Sequence, residues 1–153
     1  MILITGATGQ VGSEAMNALV AAGAEVRALV RRPSGFAGPE GVQVVQGSFD
    51  DDRSLARALE GVDVMLLVGR DSPDSASQHQ RVLAHARRAE VRHIVKLSAI
   101  DASPESPIAL MREHHAVTKK SEKVQQTGRS LSRTCICRIC CAPEMRYGAK
   151  DGF

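Results

Sequence analysis

Tryptophan is absent from this chain of 153 residues, tyrosine occurs once and phenylalanine three times. With aromatics at 3% and hydrophobic residues at 43%, any core must be filled by Val, Leu, Ile and Ala. The scarcity of rings leaves little to stack on nucleic-acid bases. A net charge of +3, carried by scattered basic residues, is also too weak a field to attract a polyanion. No nucleic-acid partner is therefore expected. No cysteine precedes Cys135, which excludes a disulfide framework over that stretch and fits a reducing, cytoplasmic setting. No apolar run reaches the roughly 18 residues that a membrane helix needs, so no membrane partner is expected. The opening MILITGATG has no charged n-region beyond the α-amino group and meets glycine at once, unlike a signal peptide. No zinc or two-metal spacing precedes the first cysteine, and the acidic run Asp50–Asp52 reads as helix N-terminal charge, so no metal is expected.

What is present is a regular alternation. MILIT (1–5) is a short apolar strand, and GATGQVG (6–12) is a glycine turn. From Gln10 to Ala22 the apolar residues Val11, Ala15, Leu19 and Ala22 recur on one helix face. AEVRALV (24–30) is a second strand, closed by the Pro/Gly loop RRPSGFAGPEG. VQVVQ (42–46) is a third strand, DDDRSLARALEG a helix stopped at Gly61, and VDVMLLV (62–68) a fourth strand. A helix over 74–90 turns Val82, Leu83, Ala86 and Ala89 inward. RHIVKLSAI (92–100) is a fifth strand, DASPESP a loop, and roughly 108–127 a last helix ending at Gly128. Apolar strands alternating with helices predict an α/β fold, a three-layer doubly wound parallel sheet of about five strands. Ligands in such folds sit at the carboxyl ends of the strands. Candidates therefore lie at or just after Thr5, Val30, Gln46, Val68 and Leu97.

Gly6, Gly9 and Gly12 stand between the first strand and the first helix with the spacing G-x-x-G-x-x-G. The first permits a sharp turn, the second lets backbone approach a pyrophosphate, and the third lets helix and sheet pack closely. The helix N-terminus then offers amides and partial positive charge to phosphates. A merely structural glycine turn is the alternative. About twenty residues on, where an acid would hold the ribose diol of NAD, stand Arg31 and Arg32. A guanidinium fork suits a 2′-phosphate, so the sequence favours NADP(H), with NAD(H) second. Two solvated arginines at a strand end are the plain alternative.

Taken together, MILITGATGQVG, VRALVRRP, VQGSFDD, GVDVMLLV and HIVKLSAI resemble the NmrA-like branch of the atypical, extended short-chain dehydrogenase/reductases. The resemblance covers about residues 1–128 and implies a Rossmann domain that binds NADP(H). It implies that Thr8, Gln10 and Val11 line the pyrophosphate and Arg31 the 2′-phosphate. Val68, at the end of the fourth strand, is counted with the cofactor-binding residues. Ser48 and Phe49 occupy the adenine position. Where this chain has Ser48 many relatives carry Asp, and Phe49 either stacks on the ring or belongs to the core. Members include NADPH-dependent quinone reductases, azoreductases and nucleotide-binding regulators without turnover. The implied partner is a small molecule such as a quinone, with the oligomeric state open.

Standard short-chain reductases use Ser with a Tyr-x-x-x-Lys pair. Ser98 matches the serine position. The tyrosine pattern is missing, since the single tyrosine is Tyr147. The equivalent helix offers His115 and Lys119, four apart on one face, with imidazole as a substitute proton donor. A solvated helix face is the alternative.

All four cysteines fall within TCICRICC (134–141). The segment 129–153 lacks strand character and is given no place in the sheet. Codons for RTCICRICCAPEMRYGAKD can be chosen so that reading one nucleotide earlier gives PHLYMQNLLRAGDAVRREG, which resembles the family. The expectation is a tail frameshifted from near Leu131–Arg133, with an early stop and the C-terminal substrate part missing. A thiolate metal site or incidental thiols are the alternatives.

Overall fold

The structure, a computed structural model, describes residues 1–99, 102–126 and 136–137. Its elements run β1 (Ile2–Ile4), α1 (Gln10–Ala21), β2 (Val26–Val30), β3 (Gln43–Gln46), α2 (Asp52–Leu59), β4 (Val64–Leu67), α3 (Ser75–Arg88), β5 (His93–Leu97), α4 (Ala109–Gln126) and β6 (Ile136–Cys137). The sheet has the order β3-β2-β1-β4-β5-β6 with every pairing parallel. Ile2 is aligned with Val26 on one side and Val64 on the other. The chain thus winds outward from β1 to β3, crosses back to β4, and winds outward again. The reversal of direction opens a crevice at the carboxyl ends of β1 and β4.

Alternate residues of a strand face opposite sides of the sheet. Leu3 accordingly joins one core layer and Ile4 the other. The larger layer packs Leu55, Ala58 and Leu59 of α2, Val82, Leu83 and Ala86 of α3, and Val117 of α4 against Leu3, Met65, Leu67 and Ile94. The smaller layer sets Met16 of α1, with Leu19 and Val20, against Ile4, Val26, Ala28 and Val30. Phe36 and Val42, from the loop between β2 and β3, complete it in place of a second helix.

Three features differ from the sequence expectation. In α1 the buried residues are Gly12 and Met16, while Val11, Ala15 and Leu19 are half-buried and Ala22 is exposed. The helix is rotated because Gly12, having no side chain, can lie directly against the Gly6–Ala7 backbone. In β3 only Val45 is even half-buried, and Val44 is 41% exposed. β3 is the edge strand, and the loop before it brings no helix to cover its outer face. Finally, Ile136–Cys137 does enter the sheet, aligned with Lys96 and Leu97 of β5. The expectation of no place in the sheet is corrected at these two residues. The outer edge of β5 carries unpaired N–H and C=O groups that an extended dipeptide can satisfy. The rest of the predicted aberrant tail lies outside the described residues.

Candidate functional site

The first turn is held by Thr5, which is fully buried at the end of β1. Its Oγ1 donates to the Val68 carbonyl at 2.8 Å and accepts from the Val68 amide at 2.8 Å. This pins the carboxyl end of β1 to that of β4. Gly6 follows with φ +63°, and a Cβ there would lie 2.9 Å from the Val68 carbonyl oxygen. Both the left-handed backbone and the contact with β4 therefore require glycine. Gly9 differs. Its φ of −90° and ψ of 167° suit any residue, so what matters is the open space above it, which forms part of the cleft. No side chain caps α1, so the amides of Gln10, Val11 and Gly12 lack intrahelical acceptors and are available to an anion.

A cleft of about 530 Å3 opens above this turn. Of the sequence-predicted residues, Gly6, Thr8, Gly9, Arg31, Ser48, Phe49 and Val68 line it. Gln10, Val11 and Gly12 lie just beyond, at the start of α1, and Arg32 is exposed outside the lining. Arg31 is exposed at its mouth. Among the described residues, no carboxylate makes an ion pair with either arginine. The Ser48 hydroxyl accepts from the Asp50 amide at 3.2 Å and so closes its own turn. Phe49 packs on the larger core layer and also lines the cleft. Its ring also meets His79, with centroids 5.8 Å apart at 58°. The sequence reading did not single out Gly69, Arg70, Ser72, Asp74 and Gln78, which form the wall after β4.

The three residues expected to be catalytic, Ser98, His115 and Lys119, do not line this cleft. Ser98 is buried, its Oγ 3.4 Å from Thr118 Oγ1. His115 is half-buried and Lys119 exposed on α4, and none of the three lines the cleft. Their immediate neighbours form a different group. Lys96, only 1% exposed, directs Nζ to the Leu97 carbonyl at 3.0 Å and to His114 Nδ1 at 3.3 Å. His114 Nε2 lies 3.1 Å from Asp71 Oδ1. Burial pushes the Lys96 ammonium down to about 8, with Asp71 opposing the shift. It therefore remains a donor at neutral pH.

His79 is buried beside this group and titrates at about 4, chiefly because burial penalises its charged form. The charges of Lys96 and His114 push the same way, and Asp71 pushes back. Between about pH 6.5 and 4 the unfolded chain binds a proton at this position and the folded chain does not. Stability is therefore full above 6.5 and falls as the pH drops towards 4, by up to about 3 kcal/mol. Urea denaturation at several pH values in this window should show the decline, and His79→Leu should flatten it.

Among the described residues, no group of three His, Cys, Asp or Glu side chains is placed to hold a metal ion. No helix there is long and apolar enough to cross a membrane.

The chain resembles known reductases over this region. It is 50% identical over 101 residues to a (4-alkanoyl-5-oxo-2,5-dihydrofuran-3-yl)methyl phosphate reductase of Streptomyces griseus, covering 64% of this chain and 34% of the relative. It is 33% identical over 130 residues to an NAD(P)H azoreductase of Xenophilus azovorans, covering 84% and 44%. It superposes with a TM-score of 0.70, at 32% identity, on an NADPH-dependent quinone oxidoreductase of Escherichia coli solved with NADPH, covering 81% and 45%. The chain spans less than half the length of each of these relatives. A family model described as NAD(P)H-binding matches residues 6–131, which include the glycine turn, the cleft wall and α4. With its Rossmann sheet and glycine turn, the chain belongs to the NAD(P)H-binding family.

Proposed function

We propose that this chain is the nucleotide-binding part of an NADPH-dependent reductase that acts on a small electrophile, such as a quinone, in the cytoplasm. The observation that carries this reading is the meeting of the Gly6–Gly9 turn and Arg31 on one cleft at the switch of strand direction. The amides that open α1 would take the pyrophosphate, and Arg31 the 2′-phosphate, with Arg32 at the rim. Ser48 and Phe49 would border the adenine, while Val68 and Gly69 flank the path towards the nicotinamide. When bound, NADPH supplies the hydride that reduces the acceptor. Ser98, just past the end of β5, and His115 and Lys119, within α4, would serve the substrate end. The similarity to a quinone oxidoreductase and an azoreductase supports a small unsaturated acceptor.

Fluorescence titration with NADPH and NADH tests the phosphate assignment. Arg31→Ala should weaken NADPH about tenfold and leave NADH nearly unchanged, in line with the loss of one charge-assisted bond. Equal losses for both nucleotides would remove the assignment. One observation favours a second reading, a module that binds NADP(H) without turnover: Ser98, His115 and Lys119 all lie off the cleft. NADPH oxidation with a panel of quinones separates the two readings, since binding without turnover selects the second.

A further inference from the structure

The cleft wall after β4 is a loop, residues 68–74, and its two ends are tied. Val68 is held by Thr5, and the Ser75 amide donates to the Ser72 carbonyl at 3.0 Å. Gly69, Arg70, Ser72 and Asp74 line the cleft, while Asp71, between them, is bonded to His114 of α4. Gly69 lies against the His79 ring, and beyond it the Asp71–His114 bond ties the middle of the wall to α4.

The bond has a defined polarity. A protonated lysine amine only donates. Lys96 Nζ, bonded to His114 Nδ1, therefore makes Nδ1 the acceptor and leaves the ring proton on Nε2, directed at the Asp71 carboxylate. The donor itself is immobile, since Lys96 is almost wholly buried in β5 and also bonded to the Leu97 carbonyl. On the other side of the ring, the His114 carbonyl accepts from Thr118 Oγ1 at 2.9 Å, and that oxygen lies 3.4 Å from Ser98 Oγ. Lys96 of β5 and Ser98, just past its end, thus face His114 and Thr118, four apart on α4. The result is a polar ladder that fixes the height of the ring.

We propose that His114 is a positioning residue for the dinucleotide, holding the cleft wall in place by linking buried Lys96 to Asp71 in a directed Lys–His–Asp chain. The proposal rests on the reading of the cleft as the nucleotide site. His114 acts without touching the nucleotide, by keeping Gly69 and Arg70 at a fixed distance from the glycine turn.

The test uses the full chain and two substitutions at Asp71, whose side chain is 56% exposed and whose loss should leave the fold intact. Asp71→Ala removes the acceptor, and NADPH affinity by fluorescence should fall about five- to tenfold. Asp71→Asn keeps a carbonyl oxygen for Nε2–H and should restore affinity to within twofold of the parent. His114→Leu should match Asp71→Ala, and combining the two should add nothing further. Wild-type affinity in both Asp71→Ala and His114→Leu would overturn the proposal, as would equal losses in the alanine and asparagine variants. A second readout needs no nucleotide. Tryptic cleavage at the exposed Arg70 should speed up in Asp71→Ala and not in Asp71→Asn, and an unchanged cleavage rate in the alanine variant would also overturn the clamp. If the parent chain binds neither nucleotide, the cofactor reading fails, while the cleavage measurement still judges the clamp.

Discussion

Gly12→Ala should destabilise the chain by about 1–3 kcal/mol and abolish measurable dinucleotide binding. The sign is opposite to the usual one. In a helix, replacing glycine by alanine ordinarily gains about 1 kcal/mol, because the backbone loses less freedom on folding. Here a Cβ at position 12 would run into the Gly6 carbonyl group and the Ala7 Cα. These are backbone atoms, fixed by the Thr5–Val68 bonds and by the Gly9 amide donating to the Gly6 carbonyl at 2.9 Å. They cannot swing aside as a flexible side chain could. Helix α1 must instead tilt away from the turn, carrying Met16 out of the smaller core layer and the free amides away from the cleft. Gly9→Ala is the comparison. Its Cβ would meet only the Gly6 carbonyl oxygen, at 3.3 Å, on a backbone that suits any residue. That variant should keep most of its stability while losing affinity, because the methyl group intrudes where the phosphates approach. Thermal denaturation and NADPH titration of both variants check the contrast. A Gly12→Ala chain with unchanged melting temperature and affinity would show that the close approach of helix and turn is unimportant.

The glycine turn and the order of elements were legible because each depends on local spacing. A short apolar run, a glycine and a 3.6-residue period specify their element whatever lies around them. The phase of a helix is less local. In α4, His114 and His115 are adjacent and surrounded by charges, so composition cannot say which faces the sheet. The spacing that paired His115 with Lys119 pairs His114 with Thr118 equally well. What decides between them is the partner strand, where Lys96 and Ser98 present polar groups at matching positions. Lys96 was equally hidden. Within HIVKL a lysine carries no signal of burial, and the covering by α4 makes it one of the most buried side chains of the fold. The rotation of α1 follows the same logic, since Gly12 sets the approach and Met16 follows it inward. The pairing of Ile136–Cys137 was not legible at all, because an open edge on β5 accepts strand partners by backbone alone.

Lys96→Met should raise stability at pH 7 and should lower it relative to the parent at pH 10.5. In the folded chain the Lys96 ammonium titrates at about 8, against 10.5 for an exposed lysine, chiefly because of burial. Between these values the unfolded chain binds the proton and the folded chain does not, so the parent's stability rises with pH across that window. Below about 8 the folded chain carries the full penalty of the buried charge, about 3 kcal/mol. Methionine has similar reach and no charge, so the variant avoids this penalty. It also deprives the Leu97 carbonyl and His114 Nδ1 of a donor, which costs about 1–2 kcal/mol. The balance is a gain of about 1–2 kcal/mol at pH 7 that shrinks above pH 8, crosses zero between about pH 9 and 10 and is a loss by 10.5. Guanidinium denaturation of parent and variant at pH 7, 9 and 10.5 measures the crossing, and parallel curves would mean that Lys96 is not a desolvated cation. The same substitution cuts the chain of bonds through His114 to Asp71. NADPH affinity should therefore fall while the fold grows more stable at neutral pH. A residue that served stability alone would move both quantities in the same direction.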